Sequence, residues 1–156
     1  MDIMVDNLQG YGVIELLQAH LVDMYATSPP ESVHTLDIEA LKHPTITFLC
    51  AKQAGVVLGC VALKELTATH GEIKSMRTAS AARNQGVACA LLSHLFDMAQ
   101  SRGYRQLSLE TGSMVFFDPA RRLYLRHGFN YCGPFSDYQP DPNSLFMTRL
   151  IESINL

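Results

Sequence analysis

The chain has 156 residues, 47% of them hydrophobic and 17% charged, which is the ordinary composition of a soluble globular protein. This length predicts a single domain, residues 1–156, that buries roughly two-thirds of the surface exposed by the unfolded chain. The net charge is −3 with the histidines neutral, so nucleic-acid binding has no electrostatic support.

The sequence also argues against a membrane segment and a metal site. No apolar run approaches the ~20 residues that span a bilayer, and the acidic N-terminus is not typical of a signal peptide. The six histidines show no metal-ligand spacing, and we interpret His20 and Asp23 as a surface pair. No C-x-x-C pair occurs among the scattered cysteines, which are Cys50, Cys60, Cys89 and Cys132. We therefore expect a reduced, cytoplasmic protein that binds no metal and has no membrane partner.

The first part of the chain is predicted to be mainly helical. After a short strand at residues 2–7, apolar side chains recur at helical spacing over residues 11–26. Two prolines within residues 28–32 end this helix, because proline lacks the backbone donor and restricts the residue before it. A short second helix is predicted over residues 36–42, where the next proline follows.

Three β-strands follow, as the residue types change to β-branched and aromatic. Gln53-Ala54-Gly55 predicts a hairpin turn between the first two strands, and Gly59 marks a bulge or a close approach of the backbone. The predicted strands cover residues 45–51, 56–66 and 71–78.

The third of these strands has an irregular apolar pattern. Ile73 and Met76 are three residues apart, and an alternation of period two cannot place both on one face. One extra residue would restore the pattern, so the spacing predicts a β-bulge near residues 74–75.

A loop and a strongly amphipathic helix come next. The helix is predicted to begin near Gln85 and to end at Gly103, and its apolar stripe is formed by Val87, Ala88, Leu91, Leu92, Leu95, Met98 and Ala99. The loop at residues 83–88 contains an arginine and a glycine. A helix N-terminus has unsatisfied N–H donors, so this loop is a candidate anion site.

The remaining elements alternate between strand and helix. A strand is predicted at residues 106–111, followed by a helix in which Asp118 serves as the N-cap and Pro119 is the first helical residue. This helix runs to residue 127, and two final strands cover residues 129–132 and 144–151.

Three segments, in this order and spacing, resemble the GNAT acetyltransferase superfamily. They are the irregular strand at residues 71–76, the Arg-Asn-Gln-Gly-Val-Ala loop at residues 83–88, and the Ala-x-x-Leu-Tyr-x-x-x-Gly-Phe segment at residues 120–129. The resemblance implies an α/β (α+β) fold with a mixed, mainly antiparallel sheet of six to seven strands and about four helices. It also implies a bulged strand that splays away from its neighbour and leaves a V-shaped opening.

The resemblance implies that the protein binds acetyl-CoA. Transferred by position, the pyrophosphate would lie on a loop in which Arg83 supplies charge, with Asn84 beside it, and the backbone amides come from Gln85, Gly86, Val87, Ala88 and Cys89. The pantetheine would pair with the backbone of Met76, Arg77 and Thr78, and the Met76 amide would polarise the thioester carbonyl. One departure is Phe117, where family members often carry an asparagine.

Two residues match catalytic positions of the family, and each has a structural alternative. Tyr124 corresponds to the general acid for the CoA sulfur, although a buried tyrosine could simply pack the helix against the sheet. Glu72 corresponds to a general base, but Lys74 lies two residues away and would form a salt bridge if it shared the same face. A neighbouring ammonium makes a carboxylate a weaker base.

The resemblance places the acceptor between two loops, at residues 25–34 and 135–143. Glu31 could receive a cationic amine beside Tyr25 and Tyr138, although these are also ordinary loop residues. We expect transfer of an acetyl group to a primary amine, most simply of a small molecule, by direct attack. Acetylation of a protein amine and a non-catalytic acyl-CoA sensor are the alternatives, and the family is compatible with a homodimer.

Overall fold

The computed structural model describes residues 1–27 and 38–152. In these residues, three α-helices lie against one seven-stranded sheet. The helices are α1 (Tyr11–Thr27), α2 (Val87–Ser101) and α3 (Asp118–Arg126). The strands are β1 (Asp2–Val5), β2 (Ile46–Gln53), β3 (Val56–Thr67), β4 (His70–Thr78), β5 (Gln106–Gly112), β6 (Asn130–Cys132) and β7 (Ser144–Leu150).

The sheet is mixed and mainly antiparallel, as predicted. Its strand order is β1-β2-β3-β4-β5-β7-β6, and β4 and β5 are its parallel pair. The β2–β3 hairpin turns at Ala54 and Gly55, which both have a positive φ. Because α2 connects the two parallel strands, its N-terminus lies at the edge of the sheet where β4 ends.

Each face of the sheet has its own apolar core. One core is formed with α2 and α3 and includes Leu63, Ile73, Val87, Leu91, Leu92, Leu95, Leu107, Leu109, Phe129 and Met147. The other is formed with α1 and includes Val13, Leu16, Leu17, Phe48, Cys50, Cys60 and Ala62. Helices α1 and α2 both contact β4, so this strand lies between helices on opposite faces of the sheet.

The predicted β-bulge is present, one residue further along β4. Cys60 pairs with Arg77 and Ala62 pairs with Lys74, so two residues of β4 oppose the single residue Val61. Ser75 within the bulge has a φ of 54°, in the left-handed region. The bulge therefore changes the direction of β4 in the middle of the strand.

Just before the bulge, β4 separates from β5. The parallel pairing runs from His70 opposite Gln106 to Ile73 opposite Leu109 and stops there. Past this point β5 continues its pairing with β7, and β4 continues its pairing with β3. This separation is the predicted V-shaped opening.

Gly59 confirms the close approach that its position in β3 predicted. A Cβ atom here would lie 2.8 Å from Cγ1 of Val87 and 2.9 Å from the backbone oxygen of Arg77. Both distances are shorter than real contacts of a Cβ atom. Glycine therefore allows the start of α2 and the end of β4 to pack directly against the backbone of β3.

Two predicted helical features differ from the structure. The described part of the segment at residues 36–42 is only a 3₁₀ turn, Ala40–Lys42, because Pro44 keeps His43 extended. Asp118 is not an N-cap: Phe117 holds that position, and no side chain caps the helix. Asp118 is the first helical residue, and its carboxylate accepts a hydrogen bond from Arg121 of the next turn.

Candidate active site

The loop at residues 83–86 is shaped so that its backbone is open to a ligand. Its residues are exposed, and Asn84 and Gly86 both adopt a positive φ, of 62° and 79°. A Cβ atom on Gly86 would meet nothing within 4 Å. The side-chain amide of Gln85 donates back to the carbonyl of Ala81 at 3.2 Å, which leaves the outer side of the loop to its backbone groups.

The first turn of α2 continues this open surface. Val87, Ala88 and Cys89 are its first three residues, and helix geometry leaves their N–H groups without an intrahelical acceptor. Val87 buries its side chain in the core, whereas Cys89 is exposed. Aligned amides and the positive end of the helix dipole suit a phosphate group. Arg83, also exposed, lies at the start of the same loop.

The side chains at the end of β4 point in different directions. The Arg77 guanidinium turns toward α1, where Nη1 donates to Oδ2 of Asp23 at 2.5 Å. Its side chain is therefore directed toward α1, and within the described residues its buried Nε has no hydrogen-bond partner. Met76 lies in the wall of the opening between the strands. Thr78 pairs with Gly59 at the end of β4.

A cavity of about 110 Å³ fills the opening between β4 and β5. The splayed strands form two of its sides, and α1, α3 and the β6–β7 connection supply the others. Its wall consists of His20, Met24, Glu72, Ile73, Lys74, Ser75, Met76, Glu110, Thr111, Gly112, Phe117, Ala120, Tyr124, Tyr138, Asn143 and Ser144. The cavity thus brings together residues that are more than 120 positions apart in the sequence.

Tyr124 extends from α3 into this wall. The residue is only 6% exposed, and its ring packs edge-on against Phe129 with centroids 5.7 Å apart. Burial raises the pKa of the phenol well above its ordinary value, so the hydroxyl is protonated at neutral pH. Within residues 1–27 and 38–152 no group forms a hydrogen bond with this hydroxyl, which leaves it available to a ligand.

Glu72 is held by two donors at the opposite wall. Lys74 Nζ lies 3.2 Å from Oε2, and the Tyr138 hydroxyl donates to the same oxygen at 2.5 Å. The bulge begins after Lys74, so regular alternation places residues 72 and 74 on one face, and the salt-bridged alternative is the one present. Lys74 Nζ also donates to the Tyr138 oxygen at 2.8 Å. Burial, followed by the charge of Glu72, raises the pKa of Tyr138.

The three residues expected to bind the acceptor are placed differently from one another. Tyr138 lies in the cavity wall, whereas Tyr25 is 55% exposed and does not line the cavity. The reason is helical geometry: His20 and Met24 share the inner face of α1, and residue 25 is about 100° further round the helix. Glu31 lies outside the described residues.

Several cavity residues were not predicted from the sequence. Glu110 accepts a hydrogen bond from Ser144 Oγ at 2.9 Å, and it is the first residue of β5 after the pairing with β4 ends. A carboxylate at the carboxyl end of a parallel strand is a usable signal, since ligands bind at such ends. Ser144 and Asn143 join the site only through the pairing of β7, which no local pattern indicates.

His20 is the other unexpected member, and its interpretation as a surface pair with Asp23 was wrong. Asp23 binds Arg77 across to β4, and His20 turns into the cavity. Burial, then the nearby charge of Arg77, lowers the pKa of His20 to about 4, although Asp23 acts in the opposite direction. The imidazole is therefore neutral at physiological pH.

No helix in the described residues is long and apolar enough to cross a membrane. In the same part of the chain, His, Cys, Asp and Glu side chains form no group of three or more that could hold a metal ion.

Comparison with known proteins places this geometry in a family. The model of the acetyltransferase (GNAT) family matches residues 13–129. An uncharacterized N-acetyltransferase of Bacillus subtilis (strain 168) is 52% identical over 149 residues, which cover 96% of this chain and 99% of that protein. The IAA acetyltransferase of Azospirillum brasilense is 40% identical over 138 residues, which cover 88% of this chain and 87% of that one.

A solved structure agrees with these sequence relatives. A Klebsiella pneumoniae protein assigned to the acyl-CoA N-acyltransferases superposes with a TM-score of 0.78 at 28% identity, over 97% of each chain. The family match covers the bulged strand, the loop before α2 and the helix that carries Tyr124. The chain belongs to the acetyltransferase (GNAT) family and is an acetyltransferase.

Proposed function

We propose that the protein transfers the acetyl group of acetyl-CoA to a primary amine of a small molecule, by direct attack in a ternary complex. The observation that carries this proposal is the cavity in the splay between β4 and β5, with Tyr124 in its wall. The cavity begins where the pairing of β4 with β5 ends, and a ligand bound at the loop before α2 would extend into it.

The donor is held mainly by backbone groups. The pyrophosphate lies on the amides of Gln85, Gly86, Val87, Ala88 and Cys89, which follow each other around the N-terminus of α2. Arg83 and Asn84 flank this cradle. The pantetheine runs along Met76, Arg77 and Thr78, where β5 no longer pairs with β4. The Met76 amide polarises the thioester carbonyl at the bulge.

The reaction then needs little more than positioning and two proton movements. The acceptor nitrogen attacks the thioester carbon, a C–N bond forms, and the C–S bond breaks. The Tyr124 hydroxyl donates its proton to the departing thiolate and later regains one from solvent. The phenol is protonated before the reaction, as a general acid must be, although burial raises its pKa and makes it a weaker acid than an exposed tyrosine. Glu72, which the sequence also suggested as a base, is bound by Lys74 and Tyr138.

The size and charge of the cavity support a small cationic acceptor. About 110 Å³ accommodates an amino group and the acyl end of the donor rather than a folded partner. Two carboxylates, Glu72 and Glu110, lie in the wall, and the ammonium of Lys74 offsets one of them. The Azospirillum brasilense relative is named for IAA, so IAA belongs in any panel of acceptors.

A thiol-release assay tests the proposal. Purified protein is mixed with acetyl-CoA and a panel of amines, amino acids, peptides and IAA, and free CoA thiol is measured. We expect release with at least one small amine. Tyr124→Phe should then lower kcat about 100-fold without changing the rise in melting temperature that acetyl-CoA produces. Tyr131→Phe, on the exposed surface of β6, serves as the matched control and should keep full activity.

Four outcomes would contradict parts of this proposal. A melting temperature that does not respond to acetyl-CoA would overturn the donor. Binding of the donor without turnover across the panel would favour a non-catalytic sensor. Turnover with peptides alone would favour a protein acetyltransferase. Full activity in Tyr124→Phe would leave the acetyltransferase but remove its assigned acid.

A further inference from the structure

Helix α1 contributes two side chains to the cavity, and one of them can accept a proton. His20 and Met24 are four residues apart and share one face of the helix. They line the same cavity as Ser75 and Met76 of the β4 bulge and as Tyr124 of α3. The imidazole thus lies in the compartment where the proposed acyl transfer takes place.

The position of His20 is fixed by a contact one turn further along α1. Asp23 accepts a hydrogen bond from Arg77 Nη1 at 2.5 Å, and this pair ties α1 directly to the splayed end of β4. The Arg77 side chain is 11% exposed and that of Asp23 is 33% exposed, so the pair is shielded from solvent mainly on its arginine side. Because Asp23 is committed to Arg77, it does not take up the imidazole N–H or hold the ring in a surface pair.

The imidazole is neutral at physiological pH, so one ring nitrogen has a lone pair that can accept a proton. Burial and then Arg77 lower the pKa and make this nitrogen a weaker base than an ordinary histidine, so its suitability comes from its place in the cavity wall. In residues 1–27 and 38–152 no hydrogen bond is made to this ring. The charged groups around the cavity are Asp23 on its own helix, Arg77, Glu72 and Lys74 on β4, and Glu110 on β5.

The other candidate base is occupied. Both donors of Glu72 bind the same carboxylate oxygen, with Lys74 Nζ at 3.2 Å and the Tyr138 hydroxyl at 2.5 Å. The Glu72 side chain is 3% exposed, and that of Lys74 is 9% exposed. A carboxylate fixed in this way orients Lys74 and Tyr138, but a substrate proton would have to compete with both donors for it.

We propose that His20 is the catalytic residue that takes the proton from the acceptor amine. This inference rests on the proposed function and adds a residue to it. As the nitrogen bonds to the thioester carbon it becomes positively charged, and its proton moves to the free ring nitrogen of His20. The C–S bond then breaks, and the thiolate takes its proton from Tyr124. Burial and Arg77 disfavour the resulting imidazolium, so it passes its proton to solvent and returns to the neutral form.

Steady-state kinetics of His20→Ala and His20→Asn, with the best amine from the panel, test this role. General-base catalysis contributes 10²–10⁴-fold in typical enzymes, so we expect kcat to fall about 100-fold in both variants. The KM for acetyl-CoA and its effect on melting temperature should remain at wild-type values, since no donor contact is changed. Asparagine keeps a hydrogen-bond acceptor but cannot take the proton, so it should restore the KM for the amine and leave kcat low.

A histidine outside the cavity provides the matched control. His94→Ala, on α2, should keep wild-type kcat and both KM values. The melting temperature of each variant reports whether it is folded, and a variant that still responds to acetyl-CoA has an intact donor site.

The outcomes separate this inference from the proposed function. If the wild type releases thiol with an amine and His20→Ala keeps kcat within threefold, His20 is not the proton acceptor and the acetyltransferase proposal stands. If His20→Asn recovers full kcat, the ring only orients the amine, and the inference is again overturned. If the wild-type protein fails to release thiol with every amine of the panel, both the inference and the proposed function are overturned.

Discussion

The proposed donor site, at the loop before α2, and the proposed acceptor site, in the cavity between β4 and β5, are built by different means. On the donor side, the loop at residues 83–86 and the first turn of α2 offer backbone amides and are carried by a close-packed apolar core. On the acceptor side, side chains form the cavity wall. His20 comes from α1, Glu72 and Lys74 from β4, and Tyr138 from the connection between β6 and β7.

This difference has a physical consequence for how each side tolerates change. Backbone amides are present whatever the side chains are, so a donor site built from them requires only that the turn keep its shape. A cluster of buried charges requires every partner, since removing one leaves another without compensation. Substitutions should therefore affect the proposed donor site most at positions that set the backbone conformation. They should affect the proposed acceptor site most at its charged pairs.

The largest expected effect is on the acceptor side, at the buried pair of Lys74 and Glu72. Lys74→Met removes the ammonium and leaves the Glu72 carboxylate with the Tyr138 hydroxyl as its remaining donor. Breaking a buried pair costs about 3–5 kcal/mol, and Tyr138 keeps the loss near the lower value. For a chain of this length, this corresponds to a fall of about 10 °C in melting temperature.

Two further variants show whether burial is the cause. The double variant Lys74→Met/Glu72→Gln removes both charges and should recover most of the lost stability. Lys42→Met breaks the pair with Glu39, whose side chains are 40% and 83% exposed, and should change the free energy of unfolding by less than about 0.5 kcal/mol. A double variant as unstable as Lys74→Met alone would show that the loss comes from packing, not charge.

The same contrast explains what the sequence could predict. The loop at residues 83–88 and the bulge were visible because each is a local pattern, of turn residues in one case and of broken alternation in the other. The sequence also indicates the salt bridge of Glu72, because Lys74 is only two residues away. The predicted and observed positions of the bulge differ by only one residue.

The acceptor side could not be predicted in this way, because it is assembled by pairings between distant strands. Ser144 reaches Glu110 through the register of β7 on β5, and Tyr138 reaches Glu72 from 66 positions away. Helical spacing alone pairs His20 with Asp23, because the two are neighbours on one helix. Arg77, which takes Asp23, is 54 positions further along the chain.

A smaller effect is expected when the acceptor side is titrated. The pKa of His20 is about 4 in the folded chain and 6.5 in its ordinary state, so between these values the unfolded chain binds more protons. Its contribution to stability is complete above pH 6.5 and is lost as the pH falls toward 4. Between pH 7 and pH 5 this loss is roughly 2 kcal/mol.

Chemical denaturation of the wild type and His20→Gln at both pH values measures this contribution. Glutamine does not titrate, so the variant should lose roughly 2 kcal/mol less than the wild type over the same interval. The comparison uses the difference between two pH values, so a constant effect of the substitution on packing cancels. Equal losses in the two proteins would mean that His20 is not held neutral by burial and Arg77.

The smallest expected effect is on the donor side, and two glycines at opposite ends of α2 isolate it. Gly86 and Gly103 both have a φ of 79°, and a Cβ atom at either would meet nothing within 4 Å. Gly86→Ala and Gly103→Ala should each cost about 1 kcal/mol of stability, since the left-handed conformation disfavours alanine by that amount. The two variants are thus matched in strain and differ only in which end of the helix they change.

If the N-terminal loop binds the pyrophosphate, Gly86→Ala alone should weaken acetyl-CoA binding, about tenfold in Kd, because its methyl group stands where the phosphate approaches the backbone. Isothermal titration with acetyl-CoA measures this, and equal affinities for the two variants would place the donor elsewhere.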